Sequence, residues 1–178
     1  MKRSEVESKY MWNLSHMVDG DGEWERLFAE LAGGLAPIAG FRGRLGQRDE
    51  LLACLKMRDG LSLKLEKLYG YASMKADEDT KNDAYKGMKD RIYALYVQFM
   101  TIASYIAPEL TALPDETLRG FIADAGFGEY DYMLTCAKNV ACSNNISRAL
   151  GDTRTEYLRS SNIDCPFFYL VQHCVFNN

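Results

Sequence analysis

The chain has 178 residues, of which 47% are hydrophobic and 26% are charged, proportions typical of a folded domain with a core. Its formal net charge of -4 argues against nucleic acid as the main partner, because phosphate binding requires clustered Lys and Arg. No apolar run approaches the roughly 18 residues that cross a bilayer, and residues 1–5 lack the apolar stretch of a signal peptide, so we expect a cytoplasmic protein without membrane contact.

The N-terminal part of the chain predicts one short helix. Residues 10–15 (Tyr-Met-Trp-Asn-Leu-Ser) form an aromatic segment too brief for a secondary-structure assignment, and the Asp and Gly residues at 19–22 predict a turn. After Glu23, apolar side chains recur at helical spacing: Trp24, Leu27, Phe28, Leu31, Leu35 and Ile38. Residues 33–37 (Gly-Gly-Leu-Ala-Pro) disfavour a regular helix, so we expect a kink or an early end there.

A second helical pattern begins after Arg48. Its apolar residues share one face of a helix: Leu51, Leu52, Leu55, Leu61, Leu65, Leu68, Tyr69 and Ala72. Gly60 lies inside this pattern, where glycine costs a helix about 1 kcal/mol relative to alanine. Residues 76–79 (Ala-Asp-Glu-Asp) predict the turn that ends it.

Residues 80–107 predict one long helix. Apolar residues recur in steps of three and four: Tyr85, Met88, Ile92, Leu95, Tyr96, Phe99, Ile102, Ala103 and Ile106. Thr80 and Asp83 have the form of a capping box, and Pro108 predicts the end, because the residue before a proline disfavours helical backbone. Since only a short turn precedes this helix, we predict an all-α antiparallel bundle built on a long helical hairpin.

A further helix is predicted to start at Pro114, and residues 129–134 resume helical character after the glycines at 126 and 128. Strand-like alternation is absent from this span. Beyond it the pattern blurs, and residues 165–171 (Cys-Pro-Phe-Phe-Tyr-Leu-Val) suit either a core or an exposed apolar end. We therefore divide the chain into a helical domain, 1–135, and a divergent Cys-rich tail, 136–178, that could pack on the same domain.

Metal chemistry finds little support in the sequence. The histidines are His16 and His173, far apart, and no His-Glu-x-x-His motif of a zinc hydrolase is present. A zinc site is conceivable by count from His173 and the tail cysteines Cys136, Cys142, Cys165 and Cys174. Their spacing matches no compact zinc pattern, and lone cysteines are more often small buried hydrophobic residues. We expect no metal and no catalytic residue in this chain.

Two acidic segments resemble the start of a calcium loop without completing one. Residues 19–30 place Glu30 at the twelfth position, but Trp24 stands at the sixth, where the tight bend requires glycine. Residues 77–88 end on Met88 where the bidentate carboxylate belongs. In both segments the acids more simply complement a helix N-terminus.

Residues 40–46 (Gly-Phe-Arg-Gly-Arg-Leu-Gly) form a loop that could bind an anion. The loop lacks the glycine and lysine spacing of a P-loop, but Arg42 and Arg44 could touch a peptide carboxylate. The alternative is a solvated connector. Substrate-binding residues are therefore left unassigned.

Several segments taken in order resemble the N-terminal region of oligoendopeptidase F, a member of the thimet-type zinc metallopeptidases. These are residues 10–15, the helix start at Trp24, residues 41–45, and residues 68–72 followed by 77–79. Their order and spacing agree with that family over about residues 3–134. Each motif is short, and it is the series that carries the resemblance.

The resemblance implies a helical lobe that forms one wall of a deep channel for short oligopeptides. It also implies that the zinc and its His-Glu-x-x-His helix belong to a later catalytic domain, so no catalytic residue can be carried over to this chain. We expect the chain to be inactive alone. After Thr135 the sequence departs from the family, which suggests a truncated or frame-shifted gene as one hypothesis.

Two hypotheses about the function of the chain remain. The first is a channel-walling lobe of an oligoendopeptidase F-like enzyme, with oligopeptides as partners once it is joined to a catalytic domain. The second is a stand-alone helical interaction module that binds a partner chain, a separate catalytic chain in trans, or a second copy of itself. Thiol chemistry in the tail is a third hypothesis.

Overall fold

The computed structural model describes the backbone of residues 13–149 and the side chains of residues 13–140. Within that range every regular element is helical and no strand occurs, which confirms the all-α prediction for this part. The predictions for residues 10–12 and for the tail beyond residue 149 lie outside the described residues. No described helix is both long and apolar enough to span a bilayer.

The described residues form these helices: α1 (Gly20–Gly33), α2 (Arg48–Glu78), α3 (Asp83–Ala103), α4 (Ile106–Ala112), α5 (Asp115–Ala123) and α6 (Asp131–Ala149). Short 3₁₀ turns lie at Leu14–His16, Ala36–Phe41 and Ala125–Tyr130. The chain divides into two compact units, Met1–Phe41 with Ala53–Ser104 and Arg42–Leu52 with Tyr105–Asn178. Helix α6 continues past residue 135 without a break, and the predicted boundary there stays a prediction.

Helix α1 starts and ends for reasons visible in its sequence. Gly20 has a φ of 86°, a backbone conformation that favours glycine, so the predicted turn leads directly into the helix. Asp21 and Glu23 lie in the first turn, where the helix dipole favours negative charge. The helix ends at Gly33 and the chain continues as a 3₁₀ turn over Ala36–Phe41, which confirms the predicted early end.

In the first unit, side-chain contacts give the directions of three helices. Asp21 contacts Tyr71 while Glu30, farther along α1, contacts Lys64, so α1 runs antiparallel to α2. Lys75 of α2 lies 4.9 Å from the centroid of the Tyr85 ring of α3. Leu68, seven residues earlier in α2, and Arg91, six residues later in α3, both contact Trp24. It follows that α2 and α3 are antiparallel, and the predicted hairpin is confirmed.

The predicted start of the long helix is wrong by three residues. Asn82, and not Thr80, is the N-cap, since its side-chain oxygen accepts a hydrogen bond of 3.0 Å from the Ala84 backbone N–H. Thr80 lies in the turn before it. An asparagine one residue before the first helical position caps the helix directly, so the predicted capping box with Asp83 is not needed.

The predicted end of the same helix is also wrong. Helix α3 ends at Ala103, and Pro108 lies inside the first turn of the next helix, α4. A proline ring collides with the carbonyl four residues earlier, which here is that of Ser104, the residue that follows α3. Within the first turn of α4 the missing N–H of Pro108 has no helical partner to lose. The proline therefore divides the predicted helix in two instead of stopping it at Ala107.

The core of the first unit is formed by apolar side chains of the three helices and the 3₁₀ turn. Those with almost no exposed surface include Trp24, Leu35, Ile38, Leu55, Leu65, Leu68, Tyr71 and Ile92. Burial of each large apolar side chain contributes about 1.5–3 kcal/mol relative to an exposed one. Helical spacing predicted all of these core residues except Tyr71. It assigned Tyr69 to the apolar face instead, and Tyr69 is half-buried.

In the second unit, α4 and α5 pack on α6, and α5 starts after Pro114 as predicted. The rings of Phe121 and Phe127 lie 5.3 Å apart, and both are buried. Arg48 forms an ion pair with Asp124, whose carboxylate also accepts a 2.8 Å bond from the Gly126 N–H. The hydrogen bond from Arg48, together with the one from the Gly126 N–H, holds the pKa of Asp124 below its usual value. The glycines that predicted a break thus lie in a 3₁₀ turn capped by a carboxylate.

We predict that Gly60→Ala raises the free energy of unfolding by about 0.5–1 kcal/mol, because alanine restricts the unfolded chain and favours helix. Gly60 lies within α2, and a Cβ built there would meet no atom within 4 Å. Urea denaturation followed by circular dichroism measures the change. Gly43→Ala is the matched opposite, since Gly43 has a φ of 77° and should lose stability. Destabilisation by Gly60→Ala would contradict the continuous helix.

Candidate functional site

A shallow groove of about 490 Å³ lies between α1 and α3 in the first unit. Its lining residues are Asp21 and Glu25 from α1 and Ala84, Tyr85, Gly87, Met88 and Arg91 from α3. Met88 is buried, whereas the charged side chains are partly exposed. The groove therefore combines apolar and aromatic lining with charged groups of both signs.

Arg91 is held in one place by contacts with α1. Its guanidinium carbon lies 5.0 Å from the centroid of the Trp24 ring and 5.1 Å from that of Phe28. Both terminal nitrogens donate to the carboxylate of Glu25, one of them at 3.1 Å. Trp24 and Phe28 are themselves stacked, with centroids 5.1 Å apart and planes 12° from parallel. Cation–π and bidentate contacts together fix the groove wall and neutralise the arginine.

A second polar cluster lies where Asp21 meets α2. The buried Tyr71 hydroxyl donates a 2.6 Å hydrogen bond to Asp21 Oδ1, and Lys75 Nζ lies 3.4 Å from the same oxygen. Lys75 Nζ is also 4.9 Å from the centroid of the Tyr85 ring. Burial, together with the bond to Asp21, raises the pKa of Tyr71 above its ordinary value of about 10. Tyr71 is therefore a protonated donor that fixes the Asp21 carboxylate.

The structure assigns structural roles to the acids of the two segments compared with calcium loops. Asp21 accepts from Tyr71, and Glu30 lies 3.4 Å from Lys64 on α2. Asp79 accepts a 3.3 Å bond from the backbone N–H of Lys81 within the turn before α3. These contacts agree with the interpretation that the acids serve helix starts and helix contacts.

The loop at residues 40–46 does bind an anion, and the anion is a carboxylate of the same chain. The backbone N–H groups of Gly43 and Leu45 donate to the two oxygens of Glu109, at 2.9 and 2.8 Å. Arg44 instead pairs with Glu50 at 3.2 Å, and the Arg42 guanidinium carbon lies 5.0 Å from the centroid of the Tyr105 ring. Glu109 was not predicted, because nothing in the sequence links it to a loop 64 to 66 residues away.

Zinc, which the family resemblance implies for a catalytic domain, requires several His, Cys or carboxylate ligands close together. Among the residues that the structure describes, no three such side chains lie close enough to hold a metal ion. His16 is exposed in the first 3₁₀ turn, where its Nε2 lies 3.1 Å from Asn13 Nδ2. His173, Cys165 and Cys174 lie outside the described residues. The described residues do not fit a zinc centre, and we assign peptide-bond chemistry to none of them.

Similarity to known proteins covers most of the chain. The chain is 30% identical over 123 residues to oligopeptidase PepF of Bacillus subtilis. It is 35% identical over 134 residues to group B oligopeptidase PepB of Streptococcus agalactiae. It is 30% identical over 137 residues to the plasmid-encoded oligoendopeptidase F of Lactococcus lactis subsp. cremoris. These matches span 68–74% of this chain but only 18–22% of the relatives, and no family model matches the chain.

A solved structure supports the fold. The crystal structure of a candidate peptidase from Chlamydophila abortus matches with a TM-score of 0.72 at 21% identity, over 79% of this chain and 24% of that one. At this identity the match shows the fold alone. The described residues thus have the helical fold of one part of that structure.

More narrowly, the chain is homologous to one segment of oligoendopeptidase F-type proteins, and the resemblance predicted from the sequence is confirmed. It spans about a fifth of the length of the curated relatives that it matches.

We predict that Tyr71→Phe lowers the free energy of unfolding by about 1–2 kcal/mol at pH 7, because the bond to a charged acceptor is lost. The pKa of Tyr71 is raised on folding, so this stabilisation is present below pH 10, the pKa of an unfolded tyrosine, and is lost as the pH rises above it. Urea unfolding of both proteins between pH 7 and pH 11 measures the difference.

Tyr93→Phe is the control for this comparison, since Tyr93 is 37% exposed and its hydroxyl should matter little. Equal effects of Tyr71→Phe at pH 7 and pH 11 would contradict the proposed proton linkage.

We also predict that Glu109→Gln costs about 1–3 kcal/mol, because one of the two N–H groups would then face an amide NH₂ instead of an oxygen. Glu129→Gln, at an exposed carboxylate, is the control and should change stability by less than about 0.5 kcal/mol. Thermal unfolding of the two variants makes the comparison. Indistinguishable melting temperatures would refute a structural role for Glu109.

Proposed function

We propose that this chain is the helical N-terminal lobe of an oligoendopeptidase F-like peptidase, and that it walls the channel through which short oligopeptides reach the reactive centre. The observation that carries the proposal is the 30–35% identity, over 118–137 residues, to proteins named oligopeptidases or oligoendopeptidases. The relatives are about five times longer than the matched segment, so their peptide chemistry has room outside it.

The length and the packing of the described helices are suited to forming one wall of a channel. Helix α2 contains 31 residues, which corresponds to about 46 Å at 1.5 Å per residue. The contacts of Trp24, Tyr71 and Arg91 hold α1 against both α2 and α3. The surface formed by these three helices therefore keeps its shape without a ligand. A rigid wall can exclude folded proteins from a channel and admit extended peptides, which is selection by size and shape.

We further propose that the chain does not hydrolyse peptides by itself. The support is chemical: zinc hydrolysis of a peptide needs a cluster of metal ligands and a general base, and the sequence has two distant histidines and no His-Glu-x-x-His motif. Zinc would then come from the rest of the enzyme. The cytoplasmic location and the oligopeptide partners stay predictions of the same proposal.

A second candidate function is a separate interaction module that binds a catalytic chain in trans. The observation that favours it is an exposed, uncharged stretch on the second half of α3, which includes Tyr93 and Val97. Both candidates need a larger partner and differ in whether the partner is covalently joined.

The test is peptide hydrolysis by a chimera in which this chain replaces the matched segment of Bacillus subtilis PepF. We expect the chimera to cleave an internally quenched oligopeptide and the 178-residue chain alone to give no turnover. PepF from which the matched segment has been deleted is the control and should lose at least about tenfold in kcat/KM, because binding and positioning contribute to catalysis.

Turnover by the chain alone that is abolished by a chelator would overturn the proposed inactivity. A folded chimera no more active than the deletion control would overturn the lobe assignment.

A further inference from the structure

The outward face of α3 changes character halfway along the helix. In the first half its exposed residues include charged ones: Asp83, Lys86 and Asp90. In the second half every exposed residue is uncharged: Tyr93, Ala94, Val97, Gln98, Thr101 and then Ser104 just after the helix. No charged residue occurs in the sequence between Arg91 and Glu109. We call the second set the α3 face.

Two hydroxyl groups of the α3 face bond to the backbone of the same helix or its end. Thr101 Oγ1 donates a 2.9 Å bond to the carbonyl of Val97, and Ser104 Oγ donates a 2.9 Å bond to the carbonyl of Thr101. Their hydroxyl hydrogens are thus satisfied by the backbone. The α3 face therefore presents the apolar groups of Tyr93, Ala94 and Val97 beside the exposed, uncharged amide of Gln98.

Exposed apolar residues are ordinary when single, so the size and continuity of the set matter. Tyr93 is 37% exposed and Val97 is 47% exposed, and they lie one turn apart on the same side of α3. The exposed side of α1 is different, since Arg26 there forms ion pairs with Glu23 and Glu30. The water-facing side of α1 is charged there, and the α3 face is not.

We propose that the α3 face is the docking surface for the part of an oligopeptidase that lies outside the matched segment, and that this part contacts it through an uncharged apolar element. This inference rests on the proposed function and names the partner surface. The relatives contain about four-fifths of their length outside the match, and three-quarters of the Chlamydophila chain lies outside its match.

The chemistry of the occupant follows from the α3 face. A charged group placed against it would lose water without gaining a partner, which costs more than an apolar contact gains. A domain joined covalently also acts at a high effective concentration, so a modest uncharged surface is sufficient to hold it. An apolar helix or sheet face of the same longer protein satisfies both conditions.

The experiment compares Val97→Glu with Lys86→Glu, which places the same side chain about three turns earlier on the same side of α3 and removes only an exposed ion pair with Asp83. Each variant is made in the 178-residue chain and in the PepF chimera, and thermal unfolding is measured by circular dichroism and calorimetry. In the chain alone we expect both variants to melt within about 2 °C of the parent, because both sites are exposed. In the chimera we expect Val97→Glu to lower the melting temperature by about 5 °C or more and Lys86→Glu to leave it within about 2 °C.

Equal effects of the two variants in the chimera would overturn the docking surface. A large loss from Val97→Glu in the chain alone would also overturn it, because the α3 face would then be covered by this chain's own residues or by a second copy. Size-exclusion chromatography with light scattering separates those two cases.

The outcome is distinguishable from failure of the proposed function. A chimera that is sensitive to Val97→Glu but does not cleave peptides would retain the docking surface and remove the lobe's role in catalysis. A chimera that cleaves peptides and ignores Val97→Glu would do the reverse. A chimera that does not fold would count against both.

Discussion

The first unit depends on how one buried indole of α1 joins three helices. Trp24 has no exposed surface, and its Nε1 donates a 2.9 Å hydrogen bond to the carbonyl of Leu68 in the middle of α2. The guanidinium of Arg91 from α3 lies over the ring of Trp24. Because one side chain has an apolar body and a single donor, it can fill the core and fix the register of α1 against α2 at once.

The consequences of this contact extend along the helices. With Trp24 in place, Asp21 meets Tyr71 one turn earlier and Glu30 meets Lys64 two turns later, which sets the antiparallel arrangement. The groove between α1 and α3 then has a fixed rim, since Glu25 and Arg91 bind each other. The unit is a scaffold whose polar groups largely stabilise the scaffold itself.

Much of this fold follows from sequence periodicity, and the exceptions have identifiable physical causes. The buried residues of α2 and α3 recur at helical spacing, so the hairpin was predictable from a single sequence. The ends of α3 were not predicted correctly. Asn82, and not Thr80, caps its start, and the ring of Pro108 excludes a helical position for the carbonyl of Ser104 four residues earlier. The bonds of Glu109 to Gly43 and Leu45 were also beyond prediction, since they join residues that the sequence separates widely.

For the relationship to known proteins, too, part was predictable from the sequence and part was not. The order of short motifs predicted a relationship to oligoendopeptidase F, and similarity over about 70% of the chain confirms it. Helical spacing already left Tyr93 and Val97 outside the apolar stripe predicted for this helix, and the structure adds that both are exposed.

We propose that this chain is a helical part of a larger peptidase, and cross-linking tests that proposal most directly. A photo-reactive phenylalanine analogue placed at position 97 of the PepF chimera would be irradiated, and the linked peptides identified by mass spectrometry. We expect links to PepF residues outside the segment that this chain replaces. Links only within the grafted chain, or to a second copy of it, would contradict the proposal that a larger peptidase covers this helix.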